Sequence, residues 1–214
     1  MFLDAINFND ECPELAIKLP CNAYEIHELA ERWEEKSTGH GLMRGHVAAL
    51  DGYFASSICL FDVDNQQDYY SGHYMSHGLN IQAMSDPDLL FLYFGTIAPG
   101  KTNDYRAFGW CTALQEWLEY LPDGYYVSAD NAYALSRKVL TPFKGVLARG
   151  EYHNIYNFFL SQHRVRVEIA FGRMTTKWRR LCQKLTNSTE KNARICRVCA
   201  KLHNFCIIFT QTYV

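Results

Sequence analysis

Val47-Ala48-Ala49-Leu50-Asp51-Gly52-Tyr53-Phe54 is an apolar strand pattern interrupted by one acid. A carboxylate among apolar neighbours is expensive to bury unless a partner compensates it. Asp-Gly between apolar runs is also a strong hairpin signal, so Asp51 has two readings: a turn residue, or an acid held on a strand for chemistry. On the second reading this segment becomes the first, central strand of a sheet.

Outward from this segment, Phe54 to Phe61 continues the extended pattern and 62–78 is a polar loop. Leu79 to Met84 and Leu89 to Ile97 read as strands, separated by the turn Asp86-Pro87-Asp88 and closed by Pro99-Gly100. A helix is predicted from Asn103 to Tyr120, a short strand from Tyr125 to Ala129 ending at Asp130, a short helix over 131–138 and a strand from Val139 to Phe143. Two longer helices follow, over 154–183 with Val167, Phe171, Met174, Trp178 and Leu181 as its stripe, and from Thr189 to Phe209. Upstream, 1–20 reads as an arm, and 22–36 as an acidic helix with Ile26, Leu29, Ala30 and Trp33 on one side, ended by Ser37 to Gly41. The organisation is therefore an arm and acidic helix over 1–44 and a main domain over 45–209. This order predicts an α/β sheet flanked by helices: an antiparallel meander, then a parallel strand added after a right-handed crossover.

Length and composition agree with one such domain. The 214 residues suit a single ordinary core, and 14% aromatic content excludes disorder as the main state. No apolar run approaches the roughly 20 residues that span a bilayer, and Met1-Phe2-Leu3-Asp4 lacks a signal-peptide layout, so an intracellular soluble protein is expected. The eight cysteines are scattered and read as reduced, packed thiols. Charge is segregated: nine acids against Lys18, Arg32 and Lys36 over 1–36, but Arg164, Arg166, Arg173, Lys177, Arg179, Arg180 and Lys184 against Glu168 alone over 163–184. The two readings of that basic stretch are a solvated helix face and a surface aimed at an anion.

Four acids stand out. Asp51 interrupts a strand, Asp130 ends one, Asp104 opens a helix and Glu168 lies beside the apolar stripe of the basic helix. Each has a bland role: a turn for Asp51, helix caps for Asp104 and Asp130, an i, i+4 pair with Arg164 for Glu168. Together they form a constellation, because carboxylates converging at one sheet end raise one another's pKa and call for a hard dication such as Mg²⁺ or Mn²⁺. Two such ions stabilise the attacking and leaving oxygens of a phosphodiester displacement. At about 100° per residue, Arg164, Glu168, Thr175 and Arg179 share one flank of their helix, which would border the acid with phosphate-binding cations.

At these residues the sequence resembles the DDE-superfamily nuclease domain of PIF/Harbinger-type transposases and their domesticated relatives. The matching blocks are Gly45 to Gly52, Tyr69-Tyr70-Ser71-Gly72-His73-Tyr74, Leu79 to Ala83, Ala98-Pro99-Gly100-Lys101-Thr102-Asn103-Asp104, Ser128 to Tyr133, Leu140-Thr141-Pro142-Phe143, Arg164 to Gly172 and Leu202-His203-Asn204-Phe205, in the family's order. The resemblance implies an RNase H-like fold, with Asp51, Asp130 and Glu168 as catalytic triad and metal ligands and Asp104 as an auxiliary metal ligand. It implies a divalent metal, Mg²⁺ or Mn²⁺, a DNA substrate and a nuclear address. Arg164, Arg166, Lys177 and Arg179 are the nucleic-acid contacts expected beside that site. Asn103 stands where the family has His, and Tyr53 where a small hydroxyl residue is common. Only 50 residues, acidic ones, precede Asp51, so recognition of a DNA target is expected from a separate partner protein or a further N-terminal region; a homodimer is compatible. The alternatives are a catalytically silent domesticated domain that binds DNA or a protein, and, more remotely, a two-carboxylate glycosidase.

Other signals carry less. Cys196, Cys199, His203 and Cys206 lie on one predicted helix, whose rise separates the outer two by about 15 Å, too far to surround one zinc ion. His73 and His77 lie in the polar loop, where they read as substrate-facing or plain surface residues. Tyr69, Tyr70 and Tyr74 read as base-stacking or packing residues.

Overall fold

The structure is a computed structural model that describes residues 15–38, 41–145, 148 and 150–212. The part of the arm over 1–14 and the helix-ending pair Gly39-His40 lie outside the described residues. Helix α1 (Ala23–Lys36) starts at Asn22, whose side-chain oxygen accepts from the Glu25 amide at 2.9 Å. Its apolar face buries Ile26, Leu29, Ala30 and Trp33 in the same core as the sheet, and the Trp33 indole donates to the Val47 carbonyl at 3.0 Å.

Strand β1 (His46–Ser57) runs unbroken through Asp51-Gly52. The turn reading of Asp51 is thereby excluded, because Asp51 and Gly52 pair with Ala83 and Gln82 of the next long strand in mid-ladder. Strand β2 (Tyr70–Ser71) forms a small hairpin with β3 (Ser76–Ser85), and β3 runs antiparallel to β1 from Ala49↔Ser85 to Ser57↔His77. Strand β4 (Phe91–Pro99) continues the meander on the outer side of β3. After α2 (Asp104–Gly109) and α3 (Thr112–Tyr120), β5 (Tyr126–Ser128) returns parallel to β1, and β6 (Val139–Leu140) adds parallel to β5. The order across the sheet is β4-β3-β1-β5-β6, with β2 also on the outer edge of β3. Long helices α4 (Glu151–Lys177) and α5 (Thr189–Thr212) pack on it. This is the expected α/β architecture, an RNase H-like mixed sheet flanked by helices.

Several local expectations change: the polar loop over 62–78 holds β2 and the first residues of β3, and the strand expected over Val139–Phe143 ends at Leu140. The single helix over Asn103–Tyr120 is two, broken after Gly109, whose helix propensity is about 1 kcal/mol below that of alanine. The break lets both Ala107 and the Cys111/Leu114 face turn into the core. No helix forms over 131–138. There the Asp130 carboxylate accepts from the Ala132 amide at 2.7 Å and the Ser136 hydroxyl from the Val139 amide at 3.0 Å, side-chain bonds that compete with helical ones. The basic helix ends at Lys177 rather than 183. Trp178 follows it, and a 3₁₀ turn (Arg179–Cys182) carries Leu181 into the core.

Buried polar groups fix the frame. His46 and His163 meet through their Nδ1 atoms at 2.9 Å, and His46 Nε2 lies 2.9 Å from the Ser128 hydroxyl. Burial holds both imidazoles below their usual range, His163 at about 4, so both are neutral at physiological pH. On α5, Asn204 accepts from the Phe91 amide and donates to its carbonyl, each at 2.8 Å, while His203 Nε2 lies 2.8 Å from the Leu89 carbonyl. Cys196 and Cys199 are packed in the core; burial pushes their thiols up to about 12 and about 11.

Candidate active site

The register of two parallel strands brings the first two acids together. Ala49 of β1 lies beside Ser128 of β5, so Asp51 and Asp130, each two residues further on, follow in step. Asp51 is half-buried, and its own Oδ1 accepts from the Gly52 amide at 2.9 Å. Burial pushes its carboxyl up to about 7; the neighbouring Asp130 and Glu168 push the same way, and the Gly52 bond and Arg164 oppose them.

Asp104 enters from α2. Its Oδ1 accepts from Asn80 Nδ2 at 2.8 Å and Gln82 Nε2 at 3.2 Å. Gln82 also donates to the Asn80 side-chain oxygen at 2.7 Å and accepts from the Tyr133 hydroxyl at 2.6 Å. Gly52 makes room for this group, since a β-carbon there would collide with the Asp104 carboxylate. Gly52 is thus the residue of β1 that lies against the Asp104 carboxylate. Sequence reasoning missed the Asn80–Gln82–Tyr133 scaffold. Its signal was two amide side chains, two residues apart, in the otherwise apolar run Leu79 to Met84.

Asp51, Asp104 and Asp130 line one open cavity of about 470 Å³, shared with Phe54, His73, Tyr74 and Lys101. Burial, then the charges of Asp104, Asp51 and Asp130 in that order, raise the Tyr74 phenol. Glu168 does not line this cavity. It is exposed on α4 and paired with Arg164 one turn earlier. Arg166 is half-buried, its guanidinium 3.4 Å from the Pro87 carbonyl. Lys177 and Arg179 are exposed, at the end of α4 and in the turn after it.

Among the described residues, no group of three or more His, Cys, Asp or Glu side chains is gathered closely enough to hold a metal ion. The chemistry of the donors nevertheless fits a hard dication: all are carboxylate oxygens, and Asp51 carries the raised pKa of a buried acid beside like charges. Among these residues, too, no helix is long and apolar enough to cross a membrane.

A mixed sheet of this order, with Asp51 midway along β1 and Asp130 just past the end of β5, has the RNase H-like architecture. The chain belongs to the DDE superfamily endonucleases, whose family model matches residues 59–204, about two thirds of its length. The match takes in Asp104, Asp130 and Glu168 and begins after Asp51. No curated protein and no solved structure matches the chain.

Proposed function

We propose that this protein is a metal-dependent DNA endonuclease of the Harbinger transposase type, with Asp51, Asp130 and Glu168 as its triad. The observation that carries this reading is that Asp51 and Asp130, each two residues past the parallel pair Ala49 and Ser128, line one cavity. Both would hold a divalent ion, with Asp104 as auxiliary ligand and Glu168 completing the set from α4. When bound, Mg²⁺ or Mn²⁺ supplies charge neutralisation and polarisation of the phosphodiester. The chain's own residues do the rest. Gly52 keeps the backbone clear for Asp104, and Asn80 and Gln82 orient that carboxylate. Arg164 keeps a cation beside Glu168 and acts on the charge of Asp51. Lys177 and Arg179 are the exposed phosphate contacts. The attacking oxygen is that of water in strand cleavage or of a DNA 3′-hydroxyl in strand transfer. The same reading assigns a nuclear location and a partner protein that selects the DNA target.

Two observations favour a second reading, a catalytically silent domain that binds DNA or a protein. Glu168 is committed to Arg164, and no tight acidic cluster occurs among the described residues. Cleavage of a labelled duplex in Mg²⁺, Mn²⁺ or EDTA decides between them, with Asp51→Ala, Asp130→Asn and Glu168→Ala run beside wild type. Metal-dependent nicking abolished in all three variants supports the triad. A folded wild type that binds DNA, alone or with an added DNA-binding partner, and never cuts it overturns the nuclease reading.

A further inference from the structure

Part of the lining of the carboxylate cavity is aromatic and rigidly built. Gly78 and Gly100 form a slot for the Phe54 ring: a β-carbon on Gly78 would sit 2.6 Å from Phe54 Cζ, and one on Gly100 2.8 Å from Cε2. A β-carbon would also meet backbone oxygens, that of Ala55 at Gly78 and those of Gly78 and Tyr69 at Gly100, so both positions require glycine. Tyr74, in the hairpin joining β2 to β3, stacks on Phe54 with centroids 4.2 Å apart and planes 7° from parallel. The edge-on His73 ring, 4.7 Å away, braces Tyr74 in turn. The next residue, Met75, holds a left-handed backbone at φ 50°, a conformation rare for a non-glycine residue, which tightens the hairpin. Despite these supports Tyr74 is 54% exposed and Met75 71%. A glycine slot, a stacked ring and a strained turn thus hold a large aromatic side chain in the open, beside three carboxylates. Lys101 shares the cavity, exposed and in no ion pair among the described residues.

We infer that the Phe54–Tyr74 stack is a base-binding platform, on which a nucleobase beside the reacting phosphodiester lies against Tyr74 while Lys101 neutralises the adjoining phosphate. The inference rests on the nuclease reading for its substrate class and adds what that reading lacks, a contact with the base rather than the backbone. Stacking on an aromatic side chain tolerates any base, so the platform grips a strand without selecting its sequence. It requires a base that is unpaired or turned out of its helix, because a face stacked within a duplex is closed to the ring.

The test measures fluorescence anisotropy of the full chain with a ten-nucleotide dT strand and with a strand of the same length made of abasic deoxyribose phosphate, in Ca²⁺. Wild type should bind the dT strand about 5- to 100-fold more tightly than the abasic one. Tyr74→Leu should lose that preference and bind both strands like the abasic one. Tyr74→Phe and Tyr74→Trp should keep it. Lys101→Ala should weaken both strands equally and reduce the salt slope by about one. Equal binding of the two strands by wild type, an undiminished preference in Tyr74→Leu, or no binding of either strand overturns the platform. Metal-dependent nicking of duplex DNA is scored separately. Nicking without a base preference retains the nuclease and removes the platform; a Tyr74-dependent preference without nicking does the reverse.

Discussion

Asp51 couples the site to the stability of the fold. Its carboxyl stands near 7 in the metal-free protein against 3.8 for an ordinary aspartate, mainly because it is buried. The folded state therefore holds that proton more tightly than the unfolded chain. The resulting stabilisation is complete below about pH 4 and is lost as pH rises through 7, with an upper bound of about 4 kcal/mol. Urea unfolding in EDTA should accordingly show wild type weakening between pH 5 and pH 8, and Asp51→Asn weakening less. Adding Mn²⁺ at pH 8 should restore wild type and leave Asp51→Asn unchanged; a restored variant would show that the ion binds elsewhere. Below pH 7 the ion competes with the proton on Asp51, so its apparent affinity should fall as the solution is acidified, at most tenfold per pH unit. The neighbouring glycine makes a separate prediction. Gly52→Ala drives a methyl group into the Asp104 carboxylate and breaks its bonds to Asn80 and Gln82, a loss of roughly 1–3 kcal/mol. Thermal unfolding should register it, and cleavage should fall beyond what the lost stability explains.

At the scale of elements, non-local pairing decided what the chain pattern left open. Asp-Gly is a hairpin signal in isolation, yet pairing with β3, Asp51 to Ala83 and Gly52 to Gln82, holds β1 straight through it. The order of strands and helices was legible because each long element had its own apolar period. The helix expected over 131–138 was not, because Asp130 and Ser136 spend their side chains on nearby amides. Nor was the Phe54 slot, which depends on glycines from two other segments that approach only in the folded chain. In the Leu202-His203-Asn204-Phe205 block, Asn204 closes both backbone groups of Phe91, where β4 begins under α5. Asn204→Ala leaves a buried amide and carbonyl unpaired and should destabilise the protein by about 2–4 kcal/mol in equilibrium denaturation. The cleavage rate per folded molecule should persist, since α5 adds no side chain to the cavity. A rate that collapsed while stability held would tie α5 to the chemistry instead.

Over the whole molecule, the segregation of charge visible in the sequence divides into structural and surface parts. Arg32 and Lys36 of the acidic helix pair with Asp86 and Asp88 in the turn between β3 and β4, and Arg166 reaches the Pro87 carbonyl of the same turn. Those cations join α1, the sheet and α4, so part of what the sequence offers as a DNA-facing surface is internal bracing. Lys177 and Arg179 stay exposed beyond the end of the α4 core face. Spacing along a helix distinguishes neither group, because a guanidinium on a brace and one facing a phosphate occupy the same kind of position. Salt dependence does distinguish them. Each cation that neutralises a phosphate releases counterions, so its removal lowers the slope of log affinity against log salt by about one. Anisotropy titrations with duplex DNA from about 50 to 200 mM salt should therefore show flatter slopes for Lys177→Ala and Arg179→Ala at unchanged stability. Arg166→Ala should keep the wild-type slope and lower the unfolding midpoint. If Arg166→Ala also flattens the slope, Arg166 faces the DNA and the Pro87 contact is incidental; if none of the three does, the basic stretch is a solvated helix face and the DNA lies elsewhere.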